Sequence, residues 1–198
     1  MPAKRRPDPG TGLNRSIIGR AAVEVGFDRL TTTRVAEHLG VRHQSLYTHV
    51  ADRTDIGRAA LECVVIDQGW PEPIDDWAAY LAAVWFHTLE GFVRHPGMQS
   101  ELLRVGRVDE FDLLAERAVG HLIRCGFTPD DAATALSLVL FLVNEHARQV
   151  DDRTTLKVEW EAGELEAVEP HRPQGVPVLF RRQLDIVLAG VASLHPDA

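Results

Sequence analysis

From Leu13 to Leu194 apolar residues recur at intervals of three and four, and no stretch alternates apolar and polar residues well enough to make a half-buried strand. That periodicity confines the chain to an all-α fold. Leu13, Ile17, Ala21 and Val25, joined by Ile18 and Ala22, outline a first helix that Gly26 ends. Thr32 is placed to cap a two-turn second helix with Val35, Ala36 and Leu39 inward, and Gly40 to end it. After Val41 a third short helix carries Leu46 and Val50 inward. Asp52 followed by Asp55 reads as the acidic start of a fourth, about 52–69, whose inner edge is Ile56, Ala60, Cys63, Val64 and Asp67.

Gly69-Trp70-Pro71-Glu72-Pro73 interrupts the pattern. A long amphipathic helix then runs through Trp77, Leu81, Val84, Trp85, Thr88 and Phe92 to His95-Pro96-Gly97. A short helix around Met98 to Val105 leads to another that begins at Asp109, turns Phe111, Leu114, Ala115, Ala118 and Leu122 inward, and closes at Gly126. Thr128-Pro129-Asp130-Asp131 supplies a capping hydroxyl, a proline at the first helical position and two first-turn acids. The helix it opens is apolar nearly all round from Ala132 to Val143, which predicts packing against two neighbours. Asp151 to Gly175 has seven acids, three bases and no strong period, and reads as a mobile loop with one short helix near Lys157 to Leu165. A last helix, roughly Pro177 to Leu194, lines up Phe180, Leu184, Val187, Leu188 and Val191.

Charge divides along the chain. Residues 1–60 hold ten Lys or Arg and six Asp or Glu, whereas residues 61–198 hold eleven and twenty-three. A basic N-terminal segment on an acidic body is the asymmetry of a nucleic-acid-binding module carried by a body that is not one. The organisation that follows is a disordered basic tail at 1–10 with Lys4, Arg5 and Arg6, a DNA-binding segment at 11–58 and a larger helical segment at 59–198. No run approaches the roughly 18 apolar residues of a membrane span, and the basic tail has no apolar stretch behind it, so a soluble, cytoplasmic protein without membrane contact is expected. Cys63 and Cys125 lack the close spacing of zinc or redox sites and read as buried thiols.

Two short helices separated by a glycine turn, the second rich in basic and amide side chains, form the pattern of a helix-turn-helix between about Thr32 and Val50. The second helix must expose side chains that read bases while the first props it in the groove. Between Val41 and Val50 the residues not needed for packing are Arg42, His43, Gln44, Ser45, Thr48 and His49, all able to bond base edges or phosphates. One short recognition helix buries little surface, so a two-fold dimer reading a palindromic site is the expected arrangement, its interface built from the last two long helices.

Leu30-Thr31-Thr32-Thr33-Arg34-Val35-Ala36-Glu37-His38-Leu39-Gly40-Val41, then Ser45-Leu46-Tyr47-Thr48-His49-Val50 and Asp52-Arg53, closely resembles the DNA-binding signature of the tetracycline-repressor (TetR) family. The resemblance spans about Leu13 to Leu61; beyond it the helix count, His95-Pro96-Gly97 and the loop before the last helix agree. It implies that Thr32, Thr33, Arg34, His43, Gln44, Ser45 and Thr48 face the operator and that Tyr47, His49 and Arg53 hold phosphates. His49 has a second reading as a packing residue before the fourth helix, and Tyr47 can lodge its ring against the first helix while its hydroxyl reaches DNA.

The resemblance also implies a C-terminal regulatory and dimerisation domain with a cavity lined by Trp77, Trp85, Phe86, Leu89, Met98, Leu102, Phe111, Leu114, Phe141 and Asn144. Taken singly, each apolar residue reads as ordinary core. His87, Glu90, Asn144, Glu145 and His146 are the polar candidates for orienting a ligand. Where magnesium-tetracycline repressors keep a histidine, this chain reads Met98-Gln99-Ser100-Glu101-Leu102, which counts against that ligand. His87 and Glu90 have a metal-compatible spacing but read first as a solvated pair, so neither metal nor cofactor is expected. The function implied is a repressor that releases a palindromic operator when an unidentified small molecule binds its core. A helical adaptor that binds only protein is the alternative, and it leaves the basic, amide-rich helix unexplained. No nucleophile elbow, phosphate loop or paired metal motif points to an enzyme.

Overall fold

The computed structural model describes residues 12–156 and 178–195, and among these every regular element is helical. The tail with Lys4, Arg5 and Arg6 and the helix expected near Lys157 to Leu165 lie outside them. Two compact units form: one is the chain up to Gly69 together with Gly91–Leu113, the other is Trp70–Glu90 together with the chain from Leu114 onward. The first unit therefore keeps the whole fourth helix, which the sequence reading divided, and takes in residues 91–113.

In the first unit α1 (Arg15–Val25) starts where Asn14 Oδ1 accepts the Ile17 N–H at 2.9 Å, and it buries Ile18, Ala21 and Ala22. It packs mainly on α4 (Arg53–Gln68). Their backbones approach closely at Gly19, where a methyl group would sit 2.8 Å from the Ala59 carbonyl carbon and 2.9 Å from Cys63 Sγ. Around this seam Arg15 pairs with Glu62 and with Asp55, and Arg20 forks onto Asp67 at 2.8 and 3.1 Å. Asp67, expected to face inward, is exposed instead, because this arginine offers its carboxylate a partner at the surface. At the head of α4 Asp52 Oδ1 accepts the Asp55 N–H at 2.8 Å, and Asp55 returns the favour to the Ala51 N–H at 2.9 Å.

A 3-10 turn (Phe27–Arg29) leads into α2 (Thr32–Leu39). The cap is Thr31, not Thr32: its backbone is extended and its Oγ1 accepts the Arg34 N–H, three residues on, at 3.2 Å. Thr32 is consequently the first helical residue and is buried. Gly40 ends α2 in the left-handed region at φ 69°, and the following Val41 N–H bonds back to Ala36 O at 3.0 Å. A single turn, α3 (His43–Leu46), follows, continued by turn residues that bring Val50 inward. Gly97, at φ 82°, precedes α6 (Met98–Val105) and lies directly on the 3-10 turn; a methyl group there would sit 2.7 Å from the Asp28 amide nitrogen.

The second unit holds residues 77–90 of α5 (Trp77–Arg94), whose first turn is capped by Asp76 Oδ1 accepting from Ala78 and Ala79, both at 3.0 Å. Tyr80, Leu81, Val84, Trp85 and Leu89 form its buried stripe. From α7 (Asp109–Arg124), Ala118, His121 and Leu122 are buried, while Phe111, Leu114 and Ala115 are only half-buried. His121 Nε2 donates to Ile74 O at 3.0 Å and tethers the incoming loop. Cys125, expected in the core, is half-exposed with its thiol 3.5 Å from that imidazole.

Thr128 Oγ1 accepts the Asp131 N–H and opens α8 (Pro129–Leu156), which continues six residues into the stretch read as a loop. Hydrogen bonding along the helix carries it past the point where apolar periodicity fades. α8 buries Ala132, Ala135, Leu136, Val139, Val143 and Ala147 on one side, and α9 (Val178–Ala192) packs on it with Phe180, Leu184 and Val191 buried. Among the described residues α8 also meets α5, where His146 lies edge-on to Trp85 with ring centroids 5.4 Å apart. Leu138 and Phe141 of α8 are 43% and 74% exposed, and Leu179 and Ile186 of α9 are 45% and 64% exposed.

Candidate nucleic-acid interface and effector residues

Four buried side chains hold the helix pair in place. Val35 and Ala36 fix α2 to the core of the unit, and Leu46 and Val50 do so for α3 and the turn behind it. With those positions turned inward, a short helix must present its remaining residues outward. Thr33, Arg34, Arg42, His43, Gln44, Tyr47, Thr48 and His49 are exposed, and Ser45 is half-buried. The side chains of Arg42, Gln44 and His49 make no hydrogen bond or ion pair with any described residue, so their polar groups remain available. Tyr47 sets its ring edge-on to His43 at 5.2 Å, Thr48 Oγ1 donates to Ser45 O at 2.8 Å, and Arg34 donates to Arg29 O at 3.2 Å.

Two residues of the predicted surface are differently placed. Thr32 is turned inward by the shift of the cap to Thr31. Arg53 is engaged: its Nε donates to Leu30 O at 3.1 Å, and both terminal nitrogens meet Glu101, one at 2.8 Å. Glu101 is 1% exposed and also lies 3.5 Å from Arg104. A carboxylate removed from water to this degree requires such partners. Arg53 thus joins the head of α4 to α6 and to Leu30, two residues before α2, a role that sequence reasoning missed.

The residues expected to line an effector cavity divide between the units: Met98, Leu102 and Phe111 belong to the first and the rest to the second. Trp85, Leu89 and Met98 are buried. Trp77 stacks on His195 and meets Phe127 edge-on, Phe86 lies edge-on to Trp85, and His87 edge-on to Trp70. Asn144 Nδ2 donates to Leu140 O at 2.7 Å, Glu145 pairs with Arg148, and Glu90 is exposed. Phe141 points away from any interior, because it falls on the uncovered side of α8. His146 is 1% exposed, stacks on Phe180 with ring centroids 3.8 Å apart, and reaches Gln183 Oε1 at 2.7 Å.

A cavity of about 210 Å³ lies in the first unit, bordered by Arg20, Cys63, Asp67, Gln68 and His95 among others, and contains none of the expected effector residues. It is smaller than the usual range for organic ligands. Burial pushes the Cys63 thiol up, and the thiol donates weakly to Ser16 O, so it is a packing residue. Among the described residues no three His, Cys, Asp or Glu side chains come together to hold a metal, and no helix is long and apolar enough to cross a membrane.

No protein-family model matches the chain. It is similar to the class C tetracycline repressor protein of Escherichia coli, 24% identical with 92% of each chain covered. The class A tetracycline repressor from transposon 1721, also of Escherichia coli, is 35% identical over 78 residues, 36% of each. Among solved structures, TetR from Acinetobacter baumannii AYE aligns at a TM-score of 0.74 with 23% identity, covering 93% of this chain and 99% of that one. ActR from Streptomyces coelicolor, in complex with actinorhodin, aligns at 0.74 with 21% identity, covering 94% and 98%. BioQ bound to its double-stranded DNA operator aligns at 0.69 with 16% identity, covering 92% and 99%.

Proposed function

We propose, from the premise that the chain belongs to the tetracycline-repressor (TetR) family, that it is a cytoplasmic, dimeric repressor that releases a palindromic operator when a small molecule binds its C-terminal unit. The observation that carries this reading is the α3 surface. Arg42, His43, Gln44, Thr48 and His49 project from a turn that Leu46 and Val50 anchor, and Arg42, Gln44 and His49 have no partner among the described residues. Gln44 suits a bidentate contact to adenine, Arg42 a phosphate or guanine, and Thr33, Arg34, Ser45, Tyr47 and Thr48 the flanking backbone. Arg53 supports the surface from behind rather than touching DNA. Its work is binding, not catalysis.

One such turn cannot hold a site tightly, so two copies act together with their α3 elements about 34–36 Å apart or a small multiple of one helical turn. The uncovered apolar sides of α8 and α9 support this assembly, because Leu138, Phe141, Leu179 and Ile186 would otherwise face water. A ligand that favours one arrangement of the C-terminal unit then changes operator affinity, and operator DNA weakens the ligand by the same factor. A gel shift against the DNA upstream of its own coding region tests the reading. Retardation of a palindromic segment over random DNA is expected; equal affinity for both, or for neither, would reject it.

A further inference from the structure

The Arg53 guanidinium directs its donors two ways within the first unit. Its terminal nitrogens fork onto the Glu101 carboxylate, one of them at 2.8 Å, and its Nε donates to Leu30 O at 3.1 Å. A guanidinium is planar and its donors are fixed relative to one another, so a carboxylate that holds the fork also sets the direction of the Nε–H. Glu101 is itself firmly seated. It is 1% exposed and lies against the backbone of α4 where Gly57 leaves room: a methyl group there would sit 2.9 Å from Glu101 Cδ and 3.1 Å from an Arg53 terminal nitrogen.

Leu30 O belongs to the peptide that leads into Thr31, and a peptide unit is rigid. Holding that oxygen therefore orients the cap of α2. Thr31 Oγ1 accepts the Arg34 N–H at 3.2 Å, and Thr31 O accepts the Val35 N–H at 3.1 Å. Arg34 in turn donates to Arg29 O at 3.2 Å, so the segment entering α2 is bonded on both sides of Leu30. Neutralising a buried carboxylate requires the fork. It does not require a third donor on a main-chain oxygen two residues before α2, and that bond is the one that reaches the helix pair.

We propose that Glu101 and Arg53 are positioning residues for operator recognition: the carboxylate on α6 sets, through the guanidinium and the Leu30 carbonyl, the angle at which the Thr31 cap starts α2, and with it the presentation of α3. Their effect on the operator rests on the reading of α3 as the DNA surface, whereas the link to the cap lies wholly within the first unit. Glu101→Gln keeps the side-chain shape but turns an NH2 against one arm of the fork. In this variant of the full chain, affinity for the palindromic segment upstream of its own coding region should fall at least ten-fold. Affinity for random DNA should not fall and its salt slope should not change, because non-specific binding follows surface charge. Arg53→Lys keeps the charge but cannot hold Glu101 by a fork and Leu30 O at once, so it should act alike, and it serves if Glu101→Gln does not fold. In either variant the Arg34 and Val35 amides should exchange hydrogen at least five-fold faster than in wild type, with the Ile18 amide of α1 unchanged. In wild type those two amides should exchange no faster than that of Ile56 at the head of α4; faster exchange would mean a cap that nothing holds and overturns the proposal without any variant. A folded variant that loses equal affinity for operator and random DNA, as a residue that only stabilises the fold would, also overturns it, and so do Arg34 and Val35 amides that exchange as in wild type. Wild-type protein without preference for the palindrome rejects the regulator and with it the operator role, while the exchange rates still decide whether Glu101 holds the cap.

Discussion

Gln44 and Arg53 lie nine residues apart and answer to different physics. Gln44 is exposed and has no partner among the described residues, and an amide in that position can specify a base by two simultaneous bonds. Gln44→Ala is expected to relax discrimination at one base pair by about 1–3 kcal/mol. A binding-site selection checks this: equal losses on operator and random DNA would show that Gln44 reads nothing. Arg53 is three-quarters buried, and its guanidinium neutralises a carboxylate that water cannot reach. Arg53→Ala leaves Glu101 with Arg104 alone, and stability should fall by about 3 kcal/mol in urea titration. The salt dependence of operator binding should stay the same in that variant. A slope reduced by about one would restore Arg53 to the phosphate contacts.

At the scale of the helix, the seam between α1 and α4 sets the platform on which α2 and α3 rest. Gly19 allows the two backbones to approach, and Gly19→Ala would force a methyl group against the Ala59 carbonyl. A loss of about 1–3 kcal/mol is expected, since backbone cannot give way as a flexible side chain does. Unchanged thermal stability in this variant would mean that the seam is loose. The Asp55 carboxylate works at the other end of α4: burial acts to raise its pKa, but the Ala51 N–H and Arg15 outweigh burial and hold it below the usual value. Its contribution is present above the unfolded pKa and disappears as pH falls through the folded one, so Asp55→Asn should flatten the acid side of the stability profile. The helices themselves were readable because capping and periodicity are local. Asp52 and Thr128 cap where their spacing implies, and the glycine turn at 40 is where the helix pair needs it. What sequence could not resolve was choice among equals and pairing at a distance. Three successive threonines hide which one caps α2, and Arg53 and Glu101 are 48 residues apart with no pattern joining them. Phe141 shows the same limit, because an apolar residue at helical spacing looks alike in a cavity, a core or an interface.

For the whole molecule the expected test is assembly. Ile186→Glu places a charge in the exposed apolar stripe of α9, and Leu188→Glu does so in its half-buried flank. Ile186→Glu should yield folded monomers by light scattering that no longer hold a palindromic site, whereas Leu188→Glu should also lower stability. Dimers of unchanged mass with normal operator binding would sink the proposed interface. One contact described above has a mechanical meaning. Between Gly97 and Asp28 there is no side chain, and so no rotamer to cushion a displacement. If the head of α6 shifts, the strain reaches the backbone of the 3-10 turn undiminished, and only Leu30 and Thr31 separate that turn from α2. Hydrogen exchange should then show the amides of residues 27–31 and 98–101 opening at a common rate, as teeth of one gear rather than as neighbours that slip.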